Sequence, residues 1–215
     1  MRLRAIKKED YSLLLSLDKA VYPTSNPVTP EILDKWFAKN PEFGMIYEEN
    51  SKVLGLSIVI PLNLSGWKKL IEGELAEADL GPKTIFDNSR DKEIGLHVYH
   101  IEKLDKIIKE FYKTALTDLN NLIIKLRKEN KNLKISGFSG LCVTNEGIGL
   151  FNKLNCKEKK FISPEHIMIK DNKLKIASNK EEIARLEKEG YKIKNKCKML
   201  ITLSNEESLV WNFLK

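Results

Sequence analysis

The chain has 215 residues, 42% of them hydrophobic and 31% charged, which suits one large folded domain and excludes a disordered chain. Its uninterrupted apolar runs, such as Ile58-Val59-Ile60, fall far short of the roughly 20 residues that cross a bilayer, so no membrane partner is expected. Lys and Arg number 37 against 30 Asp and Glu, a formal +7. The lysines lie beside glutamates along helical stretches, as on a solvated surface, so nucleic acid is not the expected partner.

Residues 1–10 are charged and lack an apolar core, so no signal peptide is expected. Arg2 to Ile6 alternate and read as a short strand. Lys8-Glu9-Asp10 then opens a helix whose Leu13, Leu14, Leu17, Ala20 and Val21 recur at spacings of three and four. Pro23 and Pro27, with small polar residues between them, break it. Thr29 as cap, Pro30 at the first position and Glu31 at the positive end start a second helix with Ile32, Leu33, Trp36 and Phe37. Residues 43–47 and 53–62 flank a turn and read as a hairpin, with Pro61 at a strand edge or end. In residues 63–92, Trp67, Leu70 and Ile71 suggest a helix and Ala76 to Leu80 a further turn.

Residues 93–101 read as a strand. In residues 106–127, Ile107, Ile108, Phe111, Ala115, Leu119, Leu122, Ile123 and Leu126 form an apolar stripe, either one helix or a loop feeding one. Residues 134–143 read as a buried strand, 147–154 as a short helix, and 159–162 and 166–169 as short strands. Ser178-x-x-Glu181 is a capping box for a helix that Gly190 ends. Tyr191 to Leu203 alternate as one half-buried strand. Ser204-x-x-Glu207 starts a final helix with Leu209, Val210, Phe213 and Leu214. The three cysteines, Cys142, Cys156 and Cys197, lack a Cys-x-x-Cys spacing. They read as core thiols in a reducing cytoplasm rather than a disulfide framework or zinc site. The order of elements is that of a mixed α/β domain with hairpins and a βαβ crossover.

This order resembles the GNAT fold of the acetyl-CoA-dependent N-acetyltransferases over residues 1–165. RLRAIKKEDYSLLLSL is similar to that family's first strand and helix, and GMIYEENSKVLGLSIVI to its second and third strands. VTNEGIGLFNKLNCKEKKF resembles its late motif, in which an Asn after the fifth strand precedes a helix. The resemblance implies a mixed α+β fold with a central mixed sheet flanked by helices and a C-terminal helix–strand–helix extension. It implies a GNAT-like acyltransferase domain at residues 1–170, a helical insertion at 63–92, and an extension at 171–215 packed on the same domain. It further implies acetyl-CoA as co-substrate and direct acyl transfer to an amine of a small molecule or protein. The alternative is a GNAT-fold protein without turnover that binds acyl-CoA or a partner in a regulatory role. A homodimer stays open.

Three departures bear on that reading. The family's Arg-x-x-Gly-x-Gly/Ala loop, whose glycines let backbone N–H groups reach the CoA pyrophosphate, is missing. The nearest placement is Tyr112-Lys113-Thr114-Ala115-Leu116-Thr117, with Tyr112, Lys113 and Thr114 at the expected helix start. Phe151 stands where many members hold a Tyr that protonates the CoA thiolate, and it has no proton to give. The 63–92 stretch replaces a short turn.

The chemistry then falls to the strand at residues 93–102, which holds two of the three histidines. Alternation puts His97, Tyr99 and Ile101 on one face and Val98, His100 and Glu102 on the other. His100 with Glu102 reads as a base assisted by a carboxylate. Tyr99 replaces the missing acid only if a bulge re-aims it. Each of these residues has a plainer reading as a buried polar group with local hydrogen bonds. His97 and His100, three apart on a strand, are not expected to share a metal. By the resemblance, backbone N–H groups from Ile101 to Lys103 would polarise the thioester carbonyl. Asn145, or Thr144 one residue earlier, would hydrogen-bond CoA. Ser25, Asn26 and the Pro61-Leu62-Asn63 strand end would border the acceptor cleft.

Overall fold

The computed structural model describes residues 1–22, 27–106, 108–159, 166–177 and 179–204. In chain order its elements are β1 (Arg2–Ala5), α1 (Tyr11–Val21), α2 (Pro30–Phe37), β2 (Gly44–Glu49), β3 (Lys52–Asn63), α3 (Leu64–Glu72), β4 (Glu93–Lys103), α4 (Phe111–Glu129), β5 (Lys134–Cys142), α5 (Asn145–Lys153), β6 (Lys157–Lys159), β7 (His166–Lys170), β8 (Lys173–Ala177), α6 (Lys180–Lys188), β9 (Lys192–Lys196) and β10 (Lys198–Leu203). Seven strands form one sheet in the order β1-β2-β3-β4-β5-β10-β6, and three form a second in the order β8-β7-β9. β4 and β5 run parallel through the α4 crossover, and the other named pairs are antiparallel.

Two apolar layers sandwich the main sheet. On one face Leu14 of α1, Leu33 and Trp36 of α2, and Trp67, Leu70 and Ile71 of α3 pack on Ile46, Leu56, Ile58 and Ile60. On the other, Leu116, Leu119 and Ile123 of α4 and Phe151 of α5 pack on Leu96, Val98, Phe138 and Leu200. Burying each such side chain contributes roughly 1.5–3 kcal/mol before entropy is counted. β3 is buried on both faces over most of its length, which is why its sequence is a near-continuous apolar run rather than an alternation. All three cysteines are buried.

Pro61 lies inside β3, opposite Leu96, and its carbonyl accepts from the Phe86 N–H at 3.0 Å. β2 pairs with β3 only as far as Gly44↔Ile58, so the missing proline N–H falls on the edge that β2 has left open. The stretch after β3 is an excursion pinned at its base. The Asn63 N–H donates to the Thr84 carbonyl at 2.9 Å, and Leu62 bridges Ile85. Within it, the Asn63 side chain caps α3 by accepting from the Gly66 N–H at 2.8 Å, and Gly73 at φ 79 ends that helix. A 3₁₀ turn follows at Glu77–Asp79.

Several local expectations shift. Ala20 is exposed, and the buried line of α1 is Tyr11, Leu14 and Asp18. Thr29 occupies the cap position of α2 without a side-chain capping bond. α4 begins only at Phe111, after a loop, and α5 begins at Asn145, two residues before the expected start. The expected strand over 191–203 divides at Cys197: β9 pairs with β7 in the small sheet, and β10 pairs with β5 and β6 in the main one. Asn179 caps α6, its side chain accepting from the Glu182 N–H at 2.8 Å. The Ser178 capping box, the strand residues 160–162 and the final helix from residue 205 lie outside the described residues, as do Ser25 and Asn26. Met168, Ala177, Leu186 and Tyr191 form the core between the small sheet and α6.

Candidate active site

The site grows from an irregularity in β4. Opposite β3, Ile58 faces His100 and Val59 faces Val98, which leaves Tyr99 as an extra residue in a bulge. On its other side β4 pairs with β5 as far as Val98↔Gly140. β4 then runs on to Lys103 and β5 to Cys142 without pairing to each other. The sheet therefore forks at the place where the bulge interrupts alternation.

The bulge overturns the two-face assignment. Ile101 packs with Val98 against the α4 layer. Tyr99 and His100 meet, on the side of α1 and α2, a residue the sequence did not single out, Asp18 of α1, with Glu102 on the other side of the His100 ring. The Tyr99 hydroxyl donates to Asp18 Oδ1 at 2.6 Å. His100 Nε2 lies 3.6 Å from the same oxygen, and His100 Nδ1 lies 3.5 Å from Glu102 Oε2. Both are ion-pair distances, too long for strong hydrogen bonds. The Tyr99 ring meets Trp36 edge-on at 4.9 Å and His100 edge-on at 4.8 Å. Among the described residues, neither the buried indole N–H of Trp36 nor Glu102 Oε2 has a hydrogen-bond partner. Burial first, then the charges of Glu77 and Asp18 and the bond to Asp18, push the Tyr99 phenol far above the usual tyrosine range. Tyr99 therefore keeps its proton throughout the neutral range.

Asp18 was legible in principle. It sits four residues after Leu14 and seven after Tyr11, on the buried line of α1, and a carboxylate in such a position needs a partner. Glu77 is the second residue missed. Its Oε1 lies 2.7 Å from Nε2 of His97, whose Nδ1 lies 2.9 Å from Ser139 Oγ. Ser139 Oγ in turn accepts from the Trp67 indole N–H at 2.9 Å. His97 and His100 thus engage separate sets of partners.

The other expected site residues lie along the fork and at the start of α4. Lys103 ends β4 and is exposed. Just past β4, the N–H groups of Leu104 and Asp105 both donate to the Leu54 carbonyl of β3. Glu110 then occupies the cap position of α4 at φ 47, a left-handed conformation that glycine adopts without cost. Its carboxylate pairs with Lys113 at 2.7 Å and raises the Lys113 pKa. Tyr112 packs half-buried against the α4 layer, and Thr114 is half-buried. Asn145 is the exposed first residue of α5, and Thr144 is its cap, accepting from the Gly147 N–H at 3.0 Å. Phe151 is buried, stacks on Phe138 at 5.6 Å, and fills the space above Gly140. It acts as packing rather than lining the fork.

No family model matches the chain, and no curated protein does. Solved structures do resemble it. Arabidopsis thaliana Naa50 in complex with the bisubstrate analogue CoA-Ac-MVNAL is similar over 94% of this chain and 97% of that one, with a TM-score of 0.50 and 9% identity. Arabidopsis thaliana NAA60 in complex with a bisubstrate analogue is similar over 95% and 98%, at a TM-score of 0.49 and 9% identity. Ard1 from Thermoplasma volcanium is similar over 95% and 98%, at 0.46 and 9%. The likeness to Naa50 is one of fold: the chain has the GNAT fold, a mixed α+β architecture around a central mixed sheet.

Proposed function

We propose that the protein is an acyl-CoA-dependent N-acyltransferase, with acetyl-CoA as co-substrate and an amine as acceptor. The observation that carries this reading is the coincidence of fork and bulge. β4 leaves β5 after Val98↔Gly140, and the next residue, Tyr99, begins the bulge that brings Tyr99 and His100 to Asp18 and sets Glu102 on the other side of the His100 ring. The fold adds support, since Naa50 holds a CoA-containing bisubstrate analogue on it.

Direct transfer forms a C–N bond and breaks the thioester C–S bond, and the attacking nitrogen sheds a proton. His100 is the base for that proton: one ring nitrogen already carries its N–H, the other takes the proton from the amine, and the carboxylates of Asp18 and Glu102, 3.6 and 3.5 Å from the two nitrogens, stabilise the imidazolium that forms. Tyr99, which keeps its own proton, holds Asp18 in place. The thiolate needs no obligatory acid, since a thiol is far more acidic than an alcohol and leaves as the anion, and it takes its proton from solvent. This removes the difficulty posed by Phe151. Backbone N–H groups between Ile101 and Lys103 that face away from β3, on the stretch of β4 that β5 no longer pairs, would polarise the thioester carbonyl. N–H groups at the start of α4, together with Tyr112, Lys113 and Thr114, would take the pyrophosphate. Asn145 would meet CoA from across the fork.

A second reading, a GNAT-fold binder without turnover, is favoured by Glu110, whose carboxylate stands at the start of α4 and holds Lys113. Turnover of radiolabelled acetyl-CoA with a panel of amines separates the two. An active enzyme acetylates at least one amine, and His100→Ala lowers that rate about 100-fold with acetyl-CoA affinity unchanged. Binding without turnover of any amine supports the binder.

A further inference from the structure

The excursion between β3 and β4 is tied into the sheet by a chain of three hydrogen bonds whose two ends both belong to it. Trp67 of α3 donates to Ser139 at 2.9 Å, Ser139 lies 2.9 Å from His97, and His97 lies 2.7 Å from Glu77. The middle members are cross-strand neighbours on the parallel pair: His97 of β4 faces Ser139 of β5, one position before the last pairing ahead of the fork. Both are 0% exposed.

The chemistry fixes one direction of donation. An ionised Glu77 only accepts, so His97 Nε2 carries a proton and donates to it. In the Nε2–H tautomer, His97 accepts at Nδ1 from the Ser139 hydroxyl, whose oxygen accepts from Trp67. Every member is satisfied in this arrangement, and loss of any one strands a buried donor or acceptor. The backbone is shaped to fit. Gly95 and Gly137 face each other across β4 and β5, and an added Cβ would fall 2.1 Å and 2.0 Å from atoms of the Trp67 ring. Both strands leave out a side chain so that the indole lies across them.

We propose that this excursion is a clamp that sets the root of the β4–β5 fork, with Trp67 and Glu77 as positioning residues acting through Ser139 and His97. The clamp holds the two strands at fixed separation immediately before they part. Its consequence for acyl-CoA rests on the function proposed above; the mechanical coupling does not.

Hydrogen exchange and acetyl-CoA titration on the full chain test it. Glu77→Ala speeds exchange several-fold around Ser139, on a different strand from its hydrogen-bond partner His97. Glu77→Gln, which keeps an acceptor for His97, restores the slow exchange. Trp67→Phe speeds exchange around Glu77, and Ser139→Ala, which removes little volume, does the same if Trp67→Phe proves too unstable. Acetyl-CoA affinity falls about tenfold in Glu77→Ala, Trp67→Phe and Ser139→Ala, stays near that of the unaltered protein in Glu77→Gln, and falls no further in the Trp67→Phe/Glu77→Ala pair, as members of one unit require. Exchange that rises only beside each substitution, or effects that add in the double variant, overturns the clamp. If the unaltered protein binds no acetyl-CoA, the proposed function fails, and the exchange results decide the clamp independently.

Discussion

Tyr99 and Asp18 illustrate how much one contact carries at this site. The phenol's bond to Asp18 joins residues 81 positions apart, and hydrogen bonds to charged groups typically contribute about 1.5–3 kcal/mol. Tyr99→Phe keeps the ring against Trp36 and removes only that bond. Urea unfolding is expected to show a loss of about 2 kcal/mol, and catalysis falls because Asp18 is no longer held beside His100. A second pair makes the chain acid-sensitive. Arg4 donates twice to Asp10, at 2.7 and 2.8 Å, and also to Glu48 at 2.9 Å. The bond from Arg4 is the main cause that holds the Asp10 carboxyl below its ordinary value, against the opposing cost of its burial. Because the folded value is the lower one, the pair's stabilisation is fully present above the unfolded carboxylate value of about 4. It is lost as pH falls through the folded value. Asp10→Asn should flatten that acid limb in a series of unfolding midpoints against pH, and an unchanged limb would place the acid sensitivity elsewhere.

Two glycines on neighbouring elements should respond oppositely to the same added methyl group. At Gly137 in β5 the methyl would fall on the Trp67 ring, so Gly137→Ala should cost about 1–3 kcal/mol by overpacking. At Gly149, inside α5, nothing lies within 4 Å, so Gly149→Ala should stabilise by about 0.5–1 kcal/mol through helix propensity. Thermal melts of both variants check the pair. The β4–α4 connection offers a third test. Glu110→Gly removes a carboxylate and a left-handed strain of about 1 kcal/mol and releases Lys113. It should leave the melting temperature within a few degrees and tighten acetyl-CoA binding several-fold. A weakened affinity would mean that Glu110 organises the loop. Element existence was largely legible at this scale because each helix carries its own apolar period and each strand its own run. The bulge was not. It arises from the register of β4 against β3, Ile58↔His100 beside Val59↔Val98, and alternation read along one strand contains no information about its neighbour. The division of residues 191–203 at Cys197 has the same origin, since β9 and β10 alternate alike and differ only in the partners they find.

For the whole molecule, the order of strands and helices carried the resemblance to the GNAT fold, and the structure bears that fold out. The excursion after β3 was read as a helical insertion, yet its role was hidden because Trp67 and Glu77 meet the sheet through partners up to 72 residues away. Asp18 stayed hidden for a related reason: its partners are on β4, and only its place on the buried line of α1 hinted at them. The central claim is that this forked sheet and its bulge bind an acyl-CoA. Titration calorimetry of the purified chain with acetyl-CoA, and with CoA in parallel, tests it most directly. Micromolar binding of acetyl-CoA, weakened by Lys113→Ala, is the predicted result. Absence of heat at millimolar ligand would contradict the claim and leave a GNAT fold put to another use.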